Sequence, residues 1–211
     1  MNFTEFKTRF LYTPLIFSKD VERLDKRRQV TRNQLIRWQA KGLLVKLRRG
    51  VYILNKNDQK ITPSLNFIAN QLYHPSYVSM EYALRHYGFI PEKVSDITSI
   101  TTRKTARSEN RAGNFVYQHI KPEAFRGFKE LKDEAGLSFL IAEPEKAIVD
   151  FLYLNLGKFQ KHLEEVFRQS YRFQHLASLK RKRLIESAKY FKSRRLLEVV
   201  KTLCDFIRKE A

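Results

Sequence analysis

The sequence predicts an α+β protein in two parts, a winged helix-turn-helix over residues 1–60 and a larger mixed domain over residues 61–211. Three observations lead to this prediction. The chain has 211 residues, 43% of them hydrophobic, which is enough for two cores. Helical patterns and then two strand-like runs open the chain, after which helical and strand-like runs alternate. A polar run, residues 55–60, lies between the two parts and is the predicted linker.

Two short helical patterns come first. Apolar residues recur on one side of residues 3–11, and Pro14 ends that pattern. Ser18 is a typical N-cap residue, and the "KDVERL" that follows has Asp20 and Glu22 in its first turn, where the helix dipole favours anions. We therefore expect two helices in this region.

The third helix has the clearest end signals. A T-x-x-Q capping box begins at Thr31, and Val30 and Leu35 occupy the two positions of a hydrophobic staple. Gly42 stands where a helix commonly ends in the left-handed conformation. The helix is therefore predicted to cover residues 32–41.

This predicted helix has two different faces. At 100° per residue, Leu35 and Trp38 fall on the inner face, which favours the core over base stacking for Trp38. Asn33, Arg37 and Lys41 line the opposite face at i, i+4 and i+8. One side is core, and the other is polar and cationic.

A hairpin is predicted after the third helix. "LLVKLR" and "VYIL" are strand-like, and the "RG" between them indicates a turn at Arg49 and Gly50, with Lys46 and Arg48 beside it. Three helices followed by a hairpin are typical of a winged helix-turn-helix. In such a module the hairpin is the wing, and its cations contact the phosphates that flank the groove occupied by the third helix.

The larger domain mixes both kinds of element. Helices are predicted over residues 65–73, in "SMEYALRHYG", and from Pro144 to Gly157, where the apolar residues of a buried helix surround the axis. The predicted strands are "DITSITT", "NFVYQHI" and "GLSFLIA". The charged "RKTARSENRAG" between the first two strands is expected to be a mobile loop. The last 50 or so residues are expected to form helices with basic faces.

The net charge of +19, with a pI near 10.1, favours polyanionic partners, nucleic acid first and anionic membrane second. Residues 1–60 hold 15 cations and 5 anions, residues 61–169 hold 14 and 13, and residues 170–211 hold 12 and 4. Two basic ends therefore flank a neutral middle. For the basic C-terminal helices a solvated hairpin, a second polyanion-binding surface and a membrane-surface helix all stay open.

Cationic and amide side chains of the third helix, the turn before it and the hairpin form the candidate DNA-binding set. Arginine pairs with guanine, asparagine with adenine, and lysine with phosphate. Residues 21–50 hold 10 cations against 2 anions, which favours groove contact over a merely solvated helix face. The candidates are Arg27, Arg28, Arg32, Asn33, Arg37, Lys41, Lys46, Arg48 and Arg49. Which of them contact bases is left open.

No catalytic or cofactor-binding constellation stands out. The five histidines lie far apart without metal-ligand spacing, no D-x-D occurs, and the seven glycines never cluster into a phosphate loop. The one cysteine, Cys204, lies on an apolar helical stretch and is expected to be a buried, inert thiol. We expect no enzyme activity, no cofactor and no metal. The lack of a signal core or an apolar run of spanning length indicates a cytoplasmic protein without a membrane partner.

Two other functions stay open. Glu130 and Lys132 match the E-x-K part of a metal-dependent nuclease motif, and Asp96 could be its upstream acid, so the chain could be a winged helix fused to a nuclease-like domain. Alternatively, the two basic ends could bind structured RNA.

Three stretches, "KGLLVKLRRGVYIL", "HPSYVSMEYALRHYGFIPE" and "FLIAEPEKAIVDFLYL", occur in this order. In that order and spacing they resemble the AbiEi family of antitoxin-like transcriptional regulators from type IV toxin–antitoxin systems. The resemblance spans roughly residues 15–157 and does not include the basic tail after Tyr171.

The resemblance implies an N-terminal domain that binds operator DNA and represses its own operon at repeated sites. The larger domain would oppose a nucleotidyltransferase toxin without a stable complex. The matching positions are Lys46, Arg48, Arg49 and Gly50 in the wing and Asn33 and Arg37 on the third helix. Binding as a homodimer or cooperatively on DNA, and the existence of a cognate toxin, stay open.

Overall fold

The computed structural model describes residues 1–24, 27–160 and 162–210, which form a mixed α+β structure with two sheets. The α-helices of the described residues are α1 (Phe3–Phe10), α2 (Ser18–Leu24), α3 (Arg28–Ala40), α4 (Leu65–Leu72), α5 (Met80–His86), α6 (Pro144–Leu154), α7 (Leu163–Glu165), α8 (Arg181–Lys189) and α9 (Arg194–Glu210). The strands are β1 (Ile16–Phe17), β2 (Leu44–Arg48), β3 (Val51–Leu54), β4 (Ser76–Val78), β5 (Asp96–Thr101), β6 (Ala106–Asn110), β7 (Gly113–His119), β8 (Phe128–Lys132) and β9 (Ser138–Ala142).

The N-terminal elements surround an aromatic core. Phe6 and Phe10 of α1 lie on one side of that helix, and the Phe6 ring centroid is 4.7 Å from that of Trp38 on α3. Leu35 and Trp38 are buried, as their positions on the inner face of the helix predicted. The three-stranded antiparallel sheet, in the order β1-β3-β2, closes the other side of this core.

Helix α3 begins four residues earlier than predicted. Arg27 is its N-cap and makes no side-chain cap, so the predicted capping box at Thr31 and the staple of Val30 with Leu35 are wrong. Thr31 is a buried residue inside the helix, in line with Leu35 and Trp38, and Val30 is 41% exposed. Burial of this stripe outweighs the local preference of threonine for an N-cap.

The C-terminal end of α3 follows its prediction. Gly42 has φ +71°, its N–H donates to the Gln39 carbonyl at 3.0 Å, and the Leu43 N–H donates to the Trp38 carbonyl at 2.9 Å. These two bonds form a Schellman motif, which fixes the direction in which the chain enters β2.

The hairpin of β2 and β3 turns at Arg49 and Gly50, as predicted. Gly50 has φ +76°, and its carbonyl accepts a hydrogen bond of 2.9 Å from the Ser18 N–H at the start of α2. The pairing of β2 with β3 is irregular between Lys46 and Arg48, so Leu47 forms a bulge. The hairpin tip is therefore held close to α2.

Residues 55–60, the predicted linker, form an ordered turn. The Asn55 side chain accepts hydrogen bonds from the N–H groups of Asn57 and Asp58, and the Lys7 ammonium of α1 pairs with Asp58. Leu47 and Val51 of the hairpin belong to the same apolar core as the second sheet. A domain boundary at residue 60 stays a prediction.

The second sheet has the strand order β6-β7-β5-β4-β9-β8, with β5–β7 and β4–β9 parallel and the other pairs antiparallel. The predicted helices at residues 65–73 and in "SMEYALRHYG" are present as α4 and α5. Helix α6 is the predicted buried helix, with eight consecutive buried residues from Glu145 to Leu152. It ends at Leu154, earlier than predicted, and a short 3-10 turn follows.

The segment "RKTARSENRAG" contains a strand, so the prediction of a mobile loop is wrong. Its residues Ala106–Asn110 form β6, which pairs antiparallel with β7 along its whole length. Exposed Arg107 and Glu109 alternate with half-buried neighbours, the pattern of a strand at a charged sheet edge.

Helices α8 and α9 confirm the predicted helical C-terminal end, and their apolar stripes pack into the main core. Residues 162–180 differ from the prediction, because they form only short helical turns joined by irregular chain. Cys204 on α9 is buried, as predicted, and its inertness stays a prediction. Within residues 1–24, 27–160 and 162–210, none of the helices combines the length and apolar character needed to cross a bilayer.

Candidate nucleic-acid interface

A cleft of about 320 Å³ lies between α3, the start of α2 and the hairpin. Four cationic side chains line it: Lys19, Arg32, Lys46 and Arg49. We call this the helix–hairpin cleft. The structure thus brings together three of the predicted site residues and adds Lys19.

Helical and strand geometry position these side chains. Arg32, Ile36 and Gln39 follow each other at i, i+4 and i+7 on the side of α3 that faces the hairpin. Lys46 is an exposed residue of β2, and Arg49 lies in the turn. Lys19 joins them because the Ser18–Gly50 hydrogen bond holds the start of α2 against the hairpin tip.

The cleft is electropositive. Among the described residues, no carboxylate lies within ion-pair distance of Arg32, Lys46 or Arg49, although Glu22 lies on the cleft wall. Tyr52 forms part of the cleft wall, and its burial raises the pKa of its phenol while the nearby Arg32 cation opposes part of that rise. The cleft therefore offers charged donors to an anion.

The outer face of α3 is open. Asn33, Arg37 and Lys41 are exposed and lie outside the helix–hairpin cleft, and Gln29 donates a 3.2 Å hydrogen bond to the Asn33 side chain. Ile36, between this face and the cleft, is 54% exposed. These four residues, Asn33, Ile36, Arg37 and Lys41, form an exposed ridge of α3 beside the cleft.

The predicted contacts at the start of α3 are Arg27 and Arg28. Arg28 is exposed and lines a neighbouring concavity with Lys19, Glu22 and Arg23, of which Lys19 and Glu22 also line the helix–hairpin cleft. Arg27 is exposed at the N-cap, and the two residues before it, 25–26, lie outside the described residues.

Of the predicted hairpin cations, Arg48 is the one that lies outside the helix–hairpin cleft. The bulge at Leu47 lies between Lys46 and Arg48, and Arg48 lines a second cleft of about 470 Å³ between β2 and β6. Arg107 and Arg111 also line this second cleft. Sequence reasoning missed these two arginines because the segment that contains them was expected to be a mobile loop.

The nuclease motif is not assembled. Asp96 begins β5 and Glu130 lies on β8, and two strands separate them in the sheet, a distance of about 14 Å at ~4.8 Å per strand. Asp96 instead accepts a hydrogen bond from Asn114 and pairs with Arg107. In the part of the chain that the structure describes, no cluster of three or more His, Cys, Asp or Glu side chains is suited to hold a metal ion.

The chain matches no model of a known protein family, and a search of curated proteins found no match either. The resemblance to the AbiEi family therefore stays a prediction based on three stretches of sequence.

Proposed function

We propose that this protein is a sequence-specific transcriptional regulator that binds duplex DNA through an N-terminal winged helix-turn-helix. The element order α1-β1-α2-α3-β2-β3, with the sheet order β1-β3-β2, supports the winged-helix assignment. The observation that carries the proposal is the exposed polar ridge of α3 directly beside a cleft lined by four cations.

The dimensions of α3 suit a major groove. A groove about 12 Å wide admits an α-helix, and the 13 residues of α3 span about 20 Å. In this arrangement Asn33 and Arg37 reach base edges, and Ile36 contacts thymine methyl groups. Arg32, Lys46, Arg49 and Lys19 bind the phosphates along the groove and fix the register of the helix.

The biological role in the proposal follows from the resemblance to the AbiEi family. It is repression of the protein's own operon. In this role the predicted larger domain, residues 61–211 and called the larger unit below, opposes a nucleotidyltransferase toxin. A reading frame for such a toxin beside this gene would support the antitoxin role. If no such reading frame is present, the proposed role is that of a transcriptional regulator without an antitoxin function.

The proposal is tested by fluorescence anisotropy with labelled duplexes of about 30 base pairs, three helical turns. We expect binding at low salt, and a loss of affinity on the order of 10³–10⁵ between 50 and 200 mM salt if roughly 6–10 phosphates are neutralised. Unlabelled tRNA serves as competitor. Failure to bind duplex at low salt, or displacement by less tRNA than unlabelled duplex, would contradict the proposal and in the second case favour structured RNA.

A further inference from the structure

We propose that the β6–β7 hairpin of the larger unit is a second phosphate-binding arm for the same duplex, with Arg111 as its main contact and Arg107 as an auxiliary one. This inference rests on the proposed function. It assigns to the second sheet a share in DNA binding and extends the contact surface beyond the N-terminal unit.

The position of the second cleft carries the inference. Gln39 and Lys46 line both the helix–hairpin cleft and the cleft between β2 and β6. The two clefts therefore adjoin across β2, and a polyanion bound along the first reaches the second without leaving cationic surface. B-form DNA has this continuity, with one negative charge per about 1.7 Å of helix axis.

A side-chain hydrogen bond joins the arm to strand β2 of the N-terminal hairpin. The Asn110 amide at the end of β6 donates a 3.0 Å hydrogen bond to the Leu47 carbonyl on the outer edge of β2. The Asn110 side chain also accepts a 2.8 Å hydrogen bond from the Ala112 N–H, which fixes the turn that contains Arg111. A phosphate contact from this turn therefore costs little ordering of the backbone.

The charges of the second cleft favour an anion. Lys46, Arg48, Arg107 and Arg111 line it, against the single carboxylate of Glu109. Arg107 lies 3.8 Å from the Asp96 carboxylate, which neutralises part of its charge. Arg111 is exposed and has no ion pair with any residue that the structure describes, so we assign the larger share of binding to it.

The C-terminal helices are a weaker candidate for this role. Many of their cations already pair with carboxylates, and the Arg195 guanidinium donates to the Phe159 and Gln160 carbonyls at 2.6 and 2.8 Å. The paired cations include Arg181, Arg183, Arg194, Arg208 and Lys209.

The test compares Arg111→Ala with Lys132→Ala in anisotropy titrations on a random-sequence duplex of about 30 base pairs. Lys132 is also an exposed cation, and it lies on β8 at the opposite edge of the six-stranded sheet, five strand spacings or about 24 Å from β6. Both substitutions remove one positive charge from an exposed side chain. Unchanged thermal unfolding of each variant excludes a folding defect.

We expect Arg111→Ala to lower affinity roughly three- to tenfold at low salt and to reduce the slope of log K against log salt by about 1, because one phosphate contact is lost. Lys132→Ala should change neither quantity. Equal effects of the two substitutions, or no effect of Arg111→Ala on a protein that binds duplex well, would overturn the arm and leave the proposed function standing. A wild-type protein that does not bind duplex would overturn both.

Discussion

Asp150 on α6 is fully buried and accepts hydrogen bonds from three side chains. The Tyr77 and Ser79 hydroxyls donate at 3.0 and 2.8 Å, and the buried Lys146 ammonium one turn earlier on the same helix pairs with the other carboxylate oxygen. This network joins α6 to β4 and to the residue that precedes α5. Both charged groups are buried away from solvent, so each is stabilised mainly by its partner.

We expect Asp150→Asn to lower the free energy of unfolding by roughly 3–5 kcal/mol, because Lys146 would then either bury its charge without a counter-ion or give up its proton. The double variant Lys146→Met with Asp150→Asn removes that charge and keeps an acceptor for the two hydroxyls. It should recover most of the loss in urea unfolding. If the double variant is no more stable than the single one, the unpaired charge is not the cause.

Two arginines of α3 should differ in how they affect DNA binding. Arg37 stands on the open face, and Arg32 lies in the helix–hairpin cleft. On duplexes selected from a random pool, Arg37→Ala should cost about 1–3 kcal/mol of specific binding and little non-specific binding. Arg32→Ala should weaken both kinds of binding alike. An equal loss on both for Arg37→Ala would assign it to phosphate.

The sequence predicted the burial or conformation of individual residues where these depend on neighbouring residues in the chain. The burial of Trp38 and the left-handed Gly42 follow from helical periodicity and helix termination, which depend on neighbours in the chain. Lys19 was missed because its place in the cleft depends on the hydrogen bond from Ser18 to Gly50, residues far apart in sequence. Thr31 was wrongly assigned as a cap because its burial was not foreseen.

At the scale of elements, the β2–β3 hairpin depends on Gly50. Its φ of +76° is unfavourable for other residues, and an added Cβ would lie 3.0 Å from the Ser18 Oγ. Gly136, between β8 and β9, has the same φ and open space around an added Cβ. It therefore provides a control for backbone strain without the Ser18 contact.

We expect Gly50→Ala and Gly136→Ala each to lower the free energy of unfolding by about 1 kcal/mol. Only Gly50→Ala should also lower duplex affinity, because it displaces the turn that contains Arg49. Urea unfolding and anisotropy on the same preparations measure both effects. Equal duplex affinities of the two variants would show that the hairpin tip does not contact DNA.

The turn after β3 is tied to α1 by the Lys7–Asp58 pair. The hydrogen bond from the Lys7 ammonium lowers the pKa of the Asp58 carboxyl below its ordinary value. A lowered folded-state pKa stabilises the fold above the unfolded aspartate pKa of about 3.9, and this stabilisation is lost as the pH falls through the lowered value.

Lys7→Met should therefore lower the free energy of unfolding at pH 7, by less than about 1 kcal/mol because the pair is partly exposed. The difference from wild type should shrink below pH ~4 and vanish once Asp58 is protonated in the folded state. Lys56→Met, in the same turn, is a matched control without an ion pair among the described residues. A difference for Lys7→Met that is independent of pH would rule out the ionic contribution.

Elements with a strong sequence pattern were predicted, but the strands that pair with them in the sheet were not. Helix α6 follows from its apolar residues, and strands β5, β7 and β9 follow from short runs rich in β-branched, aromatic and apolar residues. Strand β6 was missed because its charged residues face solvent at a sheet edge, where composition resembles that of a loop. The sheet order β6-β7-β5-β4-β9-β8 depends on pairing between strands that are far apart in the chain. Such pairing cannot be predicted from any short segment of a single sequence.

At the scale of the whole molecule, the place where DNA binds is expected to depend more on the distribution of unpaired cations than on the net charge of +19. Residues 170–211 hold 12 cations against 4 anions, yet many of these cations pair with carboxylates or donate to backbone carbonyls. The two clefts beside β2 concentrate cations with few acidic neighbours. We therefore expect duplex DNA to bind along the face that carries α3, the hairpin and the β6–β7 arm.

Tethered DNA cleavage tests this account most directly. The single cysteine, Cys204, is buried, so Cys204→Ser provides a background for one new thiol. Ile36→Cys places a hydroxyl-radical-generating iron chelate on the exposed ridge of α3, and Lys132→Cys places it on the distant edge strand β8. Anisotropy first establishes that both labelled proteins still bind duplex. We predict strand cleavage within a few base pairs of the binding-site centre from position 36 and none from position 132. Cleavage from position 132, or intact DNA in a complex labelled at position 36, would contradict the placement of α3 in the groove.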